Sequence, residues 1–210
     1  MHSTVEVLHY GGGNVGSLLR ALERCEIPFK VLKGNEENQF PSGENPVILP
    51  GVGAFGAIMQ GLASRGFVTS LEEVVMTHKV PFLGVCVGLQ VLFESSEESP
   101  DVAGLGFLKG RVRKFSDAVE HSKIPQIGWN YIHAQQVDAP EGFVYYVNSY
   151  YVEPENKDVL LYESEYQGTR FCGAIHHENL TAFQFHPEKS GPFGHELLRH
   201  WYQSLEKTPC

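Results

Sequence analysis

Apolar positions in the first half of this 210-residue chain follow two alternating rhythms. Short, nearly continuous apolar runs predict buried strands at Val5 to Tyr10, Phe29 to Leu32, Val47 to Leu49 and Phe82 to Val85. Between them, helical spacing predicts helices from Asn14 to Arg24, Ala57 to Leu62 and Leu89 to Glu97, with a further segment over Val68 to Thr77. This rhythm implies parallel strands joined by crossover helices. From Gly110 onward the pattern changes to strands and turns, with strands expected at Arg111 to Phe115, Phe143 to Val152, Val159 to Glu165, Phe171 to Ile175 and Leu180 to Phe185. A final helix, Glu196 to Leu205, sets Leu197, Leu198, Trp201 and Leu205 on one face and is expected to pack back on the sheet. No repeat, low-complexity stretch or linker divides the chain, so residues 1–210 are expected to form one α/β domain around a mixed, mostly parallel sheet.

One junction in this pattern carries chemistry. The apolar run Pro81-Phe82-Leu83 ends in Gly84-Val85-Cys86-Val87-Gly88, which opens the next helical segment. Glycines on both sides of a strand-to-helix bend let a strained residue hold its side chain outward, as in a nucleophile elbow. At a helix N-terminus that side chain meets free N–H groups and the positive end of the dipole, which favours thiolate over thiol. A cysteine in isolation is more often a small buried hydrophobe. The flanking glycines are what distinguish Cys86.

A nucleophile needs a base, and the base needs an orienting group. His186-Pro187-Glu188 directly follows the apolar run Leu180-Thr181-Ala182-Phe183-Gln184-Phe185. Pro187 keeps His186 out of the helical region and turns the chain, so that the Glu188 carboxylate can fold back to the imidazole. The chain has ten histidines, and His176, His177, His195 and His200 are given no role. An oxyanion hole is expected where the short strand Asn45 to Pro50 runs into Gly51-Val52-Gly53-Ala54-Phe55-Gly56, with donors from this loop and from Val87.

A formal charge of −9 argues against a nucleic-acid or anionic-membrane surface. No apolar run is long enough to span a bilayer, Met1-His2-Ser3-Thr4 is not the basic start of a signal peptide, and a cytoplasmic location is expected. Cys25, Cys86, Cys172 and Cys210 lack metal-ligand spacing, so neither a metal nor a disulfide scaffold is expected. Gly11-Gly12-Gly13-Asn14-Val15-Gly16 offers a competing reading, since Gly11, Gly13 and Gly16 satisfy the dinucleotide-binding pattern with Glu36 about twenty residues onward. Against it, Glu36 lies beyond the second strand and no length remains for a substrate domain.

Taken together, the motifs resemble those of class I, triad-type glutamine amidotransferases, and within that class the glutaminase subunits of imidazole glycerol phosphate synthases. The resemblance is carried by Pro50 to Gly56, Gly84 to Gln90, Leu92 to Glu98, Gly128-Trp129-Asn130 and Phe185 to Ser190, and it extends over essentially the whole chain. It implies a three-layer fold with a nucleophile elbow and a triad of Cys86, His186 and Glu188 that needs no cofactor. It further implies that Gly51, Val52, Gly53 and Val87 surround the oxyanion. Gln90 and Glu98 would hold the amino-acid end of glutamine, and Asn148, Ser149 and Tyr150 would grip its carboxylate partly through main chain. The implied partner is a cyclase subunit with a (β/α)8 barrel, bound as a heterodimer and receiving ammonia through a tunnel, with Asn14, Trp129, Tyr145 and Lys189 facing it. Two positions depart from the family pattern: His9 replaces an Asp and Asn148 replaces a His. A triad glutaminase serving a different synthase, such as a paralogous cyclase of surface-polysaccharide synthesis, therefore remains an alternative, as does a cysteine hydrolase of another kind.

Overall fold

The computed structural model describes residues 4–12, 15–115 and 123–205. Its main sheet has nine strands, built from β1 (Val5–Leu8), β2 (Phe29–Leu32), β3 (Val47–Gly51), β4 (Phe82–Cys86), β7 (Gln126–Ala134), β8 (Gly142–Asn148), β10 (Leu160–Tyr166), β11 (Thr169–His177) and β12 (Leu180–Phe183). A small three-stranded sheet joins β5 (Ser95–Ser96), β6 (Gly110–Lys114) and β9 (Tyr150–Pro154). The helices are α1 (Gly16–Arg24), α2 (Phe55–Ser64), α3 (Phe67–Leu71), which runs on as a π-helical turn over Glu72–Thr77, α4 (Val87–Gln90) and α5 (Gly191–Ser204).

The strand order is β2-β1-β3-β4-β12-β11-β10-β7-β8. The pairs from β2 to β12 are parallel and those from β12 to β8 antiparallel. Every residue of β1, β3, β4 and β12 is buried, because the helices of the parallel connections cover the sheet. The step from β1 to β2 runs one way along the sheet and the step from β3 to β4 runs the other. Right-handed crossovers then put α1 and α2 on opposite faces, giving three layers. The crevice at a reversal of this kind, beyond the carboxyl ends of the strands, is where open α/β sheets bind ligands. Among the described residues, no helix is long and apolar enough to cross a membrane.

Two expected elements differ and one strand was not expected. The helix over Leu89 to Glu97 stops at Gln90, after one turn. Val91, Leu92 and Phe93 are all fully buried, and the carbonyls of Val91, Leu92, Phe93 and Glu94 accept instead from the N–H groups of Leu105, Leu108, Gly106 and Gly104. A loop distant in sequence thus takes the acceptors that a continuing helix would use. The single strand expected over Phe143 to Val152 divides at Ser149 into β8 and β9, which belong to different sheets. Strand β7, absent from the expected set, has an inverted pattern: Ile127 and Trp129 face outward while Gln126 is buried.

Candidate active site

Cys86 ends β4 and caps α4 with φ 55° and ψ −111°, a conformation that a non-glycine residue adopts only under surrounding constraint. Close packing supplies that constraint. A Cβ on Gly84 would lie 2.6 Å from the Gly88 carbonyl oxygen, one on Gly88 would lie 2.2 Å from the Leu49 carbonyl oxygen, and one on Gly51 would lie 2.2 Å from the Gly88 nitrogen. The glycines beside the elbow therefore serve close approach of β3, β4 and α4, while the positive φ falls on the cysteine itself.

His186 follows β12, the strand parallel to β4, and this pairing brings residues a hundred apart together. The imidazole is coupled electrostatically to the Cys86 sulfur, and its Nδ1 lies 2.8 Å from Glu188 Oε1. With Nδ1 on the carboxylate, Nε2 is the nitrogen left for sulfur. Burial opposes the charged imidazole, but hydrogen bonds and charge from Cys86 and Glu188 outweigh it and raise His186 to about 10. Glu188 sits on a 3₁₀ turn over Pro187–Lys189, nearly as buried as the histidine.

The backbone around His186 is held from both sides. Its N–H donates to the Tyr145 carbonyl at 2.9 Å, and its carbonyl accepts from Ser190 Oγ at 2.6 Å and from the Lys189 N–H at 3.0 Å. Ser190 Oγ also accepts from the Tyr145 N–H at 2.9 Å, so one hydroxyl ties β8 to the histidine.

A cleft of about 360 Å³ opens over the thiol, lined by Val52, Gly53, Cys86, Val87, Gln90, Glu98, Pro125, Val147, Asn148, Ser149, Tyr150, His186 and Lys189. It gathers every expected catalytic and substrate-binding residue except Gly51, which is buried against Gly88, and Glu188, which stands behind the histidine. Gly53 has φ 111° and open space where a Cβ would stand, leaving its backbone free for close approach by a ligand. Val87 opens α4, so its N–H has no acceptor within the helix. The Val52 N–H, by contrast, donates to the Tyr10 hydroxyl at 3.2 Å and is not available to a substrate in this arrangement. Ala54, at the N-cap of α2, has no capping side chain; Glu98 accepts from the Phe55 N–H at 2.7 Å and Ser99 from the Gly56 N–H at 3.2 Å. Glu98 thus anchors the glycine loop as well as lining the cleft.

At the corner between β8 and β9, Asn148 donates through Nδ2 to the Tyr150 carbonyl at 3.0 Å, leaving its buried Oδ1 without a partner. The Phe115 N–H donates to the Ser149 carbonyl at 3.0 Å and fixes the corner from the small sheet. Trp129 is 56% exposed and meets the half-buried Tyr145 edge-on at 5.9 Å, while Lys189 is exposed on the rim of the cleft. Asn14 lies outside the described residues, as does Gly13 of the dinucleotide-like pattern. Glu36, the acid of that pattern, is ion-paired to Arg65 beyond the end of β2.

Sequence reasoning gave no role to Gln184, Ser190 or Tyr10. Gln184 was visible as the one amide in the apolar run before His186, two residues away and so on the same side of an extended chain. Nothing local in the sequence marks the Tyr10 contact, because it joins residues forty-two apart.

A buried thiol on a strained turn, charge-coupled to an imidazole and a carboxylate, is the arrangement of a cysteine hydrolase or acyl-transfer site. The family described as Glutamine amidotransferase class-I matches residues 6–205, and the chain belongs to that family. It is 41% identical over 207 residues to the imidazole glycerol phosphate synthase subunit HisH of Aquifex aeolicus (strain VF5), covering 96% of this chain and 97% of that one. It is 39% identical over 203 residues to the same subunit of Desulfitobacterium hafniense (strain DSM 10664 / DCB-2), covering 94% and 92%. The fold is shared with a crystal structure of a glutamine amidotransferase (TM-score 0.75, 17% identity, 98% of this chain and 100% of that chain covered). It is also shared with a chain of PurLQS from Thermotoga maritima (TM-score 0.72, 16% identity, 99% of each chain covered).

Proposed function

We propose that this chain is the glutaminase subunit of an imidazole glycerol phosphate synthase in histidine biosynthesis, hydrolysing glutamine to glutamate and ammonia for a cyclase subunit. The observation that carries the reading is the His186 ring held between Cys86 and Glu188 at the floor of a cleft lined by Gln90, Glu98 and the Asn148–Tyr150 corner. The relatives named above, alike over nearly their full length, support the choice of synthase.

In this reading glutamine enters with its side-chain amide over Cys86, whose sulfur attacks the carbonyl carbon. The Gly53 and Val87 N–H groups stabilise the tetrahedral oxyanion. The His186 imidazolium gives its proton to the departing ammonia; the neutral ring then activates water to hydrolyse the glutamyl thioester. Glu188 holds the tautomer and stabilises the charged ring. Gln90 and Glu98 bind the amino-acid end. The backbone of Asn148, Ser149 and Tyr150 binds the carboxylate.

Ammonia passes to a cyclase with a (β/α)8 barrel seated on the face that carries Asn14, Trp129, Tyr145 and Lys189. The whole of residues 1–210 acts as one glutaminase domain of a cytoplasmic heterodimer. His9 and Asn148, which replace an Asp and a His of the subfamily pattern, favour one second reading, a triad glutaminase for a different aminating cyclase. Glutaminase assays with and without a purified imidazole glycerol phosphate cyclase and its ligand separate the two. Strong activation by that cyclase is expected, and full activity without it, or activation only by another acceptor subunit, would contradict the first reading.

A further inference from the structure

Gln184 is completely buried, yet both polar atoms of its side chain have a partner. Its Nε2 donates to Cys86 Sγ at 3.8 Å, and its Oε1 accepts from Gln90 Nε2 at 3.1 Å. Gln90 Nε2 also donates to the Tyr150 carbonyl at 3.3 Å, so the chain of amides runs from the cleft corner to the nucleophile. The Gln184 N–H donates to the Gly173 carbonyl at 2.9 Å, fixing the backbone from β11.

A methionine or leucine would fill this space without the cost of desolvating an amide. A buried amide whose polar atoms are partnered is tolerated, but packing alone gives no reason for it. The surroundings of the sulfur do. The Val147 carbonyl stands 4.0 Å from Cys86 Sγ and can accept only from the protonated thiol. Gln184 Nε2 approaches from elsewhere as a donor, and a donor favours the ionised sulfur. Its donor thus opposes the Val147 acceptor at the same sulfur.

We infer that Gln184 is a positioning residue that holds the Cys86 sulfur in its ionised, attacking state and connects it through Gln90 to occupancy of the cleft. The inference rests on Cys86 being the nucleophile. Because Gln90 uses its amide nitrogen on both Gln184 and Tyr150, a substrate that draws Gln90 into the cleft shifts the partner of the amide that touches sulfur.

The test follows the rate at which iodoacetamide alkylates Cys86 in the full-length chain as pH is raised, for wild type, Gln184→Met and Gln184→Glu. Gln184→Met keeps the volume and removes the donor, and its alkylation midpoint is expected to rise by about one pH unit or more. Gln184→Glu keeps the acceptor for Gln90 and replaces the donor by a group that is negative when ionised, and its midpoint is expected to rise further. If either variant does not fold, the other carries the test. A merely structural role would lower the melting temperature and leave the midpoint where it is in wild type, and that result overturns the inference. The outcomes are separable from those of the preceding reading: a wild-type chain whose Cys86 resists a glutamine-analogue electrophile in the presence of its partner defeats the nucleophile assignment, whereas an active wild type with unmoved variant midpoints defeats only the role of Gln184.

Discussion

The two halves of the main sheet solve different problems. On the parallel side, β1, β3, β4 and β12 are buried throughout, and the backbones of β3, β4 and α4 pack so closely at Gly51, Gly84 and Gly88 that no side chain fits between them. On the antiparallel side, β7 and β8 expose Ile127 at 63%, Trp129 at 56% and Phe143 at 60%. Close packing is concentrated where a strained cysteine must be held, and exposed apolar side chains, of the kind that mark protein-binding surfaces, are concentrated on the antiparallel side. Ser190 joins the halves, with its hydroxyl shared between the Tyr145 N–H on β8 and the His186 carbonyl.

The sharpest way to separate chemistry from assembly is Cys86→Ala. Glutamine-dependent synthesis by the complex is expected to fall on the order of 10⁴-fold or more, the scale on which triad removals act. Ammonia-dependent synthesis is expected to persist, and its loss in a steady-state assay of the complex would show that the halves do not divide labour in this way.

Gly88→Ala attacks the closely packed half through its backbone. A methyl 2.2 Å from the Leu49 carbonyl oxygen cannot be accommodated without moving β3 or α4. A loss of about 3 kcal/mol in unfolding free energy is expected from denaturant titration. A loss below about 0.5 kcal/mol, the range of neutral surface changes, would mean that the elbow is more yielding than its packing implies.

Trp129→Ala probes the other half. Stability is expected to change by no more than about 0.5 kcal/mol, because the side chain is half exposed. Affinity for the cyclase, measured by calorimetry, is expected to fall by about 2 kcal/mol if Trp129 is an anchor of the interface. The reverse outcome, large destabilisation with unchanged binding, would assign the tryptophan to the core of the subunit.

The remaining effect is in pH, spread over several units rather than read at one condition. His186 is raised from 6.5 to about 10 in the folded chain, so its charged form stabilises the native state fully below pH 6.5, and that contribution is lost as pH rises towards 10. Stability of the wild type should therefore decline over this window more steeply than that of His186→Gln. Parallel curves for the two proteins would show that the histidine is not charged in the folded state.

Much of this was legible in sequence for a physical reason. The elbow, the His-Pro-Glu turn and the parallel strands are local patterns, where periodicity and glycine placement report directly on backbone geometry. The end of α4 was not legible, because it is decided by Gly104 to Leu108 taking the carbonyls of Val91 to Glu94 from outside. Strand β7 was not legible because Ile127 and Trp129 face outward while Gln126 is buried, the opposite of what a half-buried strand presents. Within the site, Cys86, His186 and Glu188 could be named from short motifs, while Gln184 and the Tyr10 hydroxyl act through contacts that only the folded chain creates.

The account stands on His186 activating Cys86, and one measurement reaches it directly: the rate at which a glutamine-analogue electrophile labels Cys86 in wild type and in His186→Ala, each in complex with the cyclase. Rapid labelling of wild type at Cys86 alone and slowing on the order of a hundredfold or more in the variant are the predicted results. Equal rates in the two proteins would contradict it.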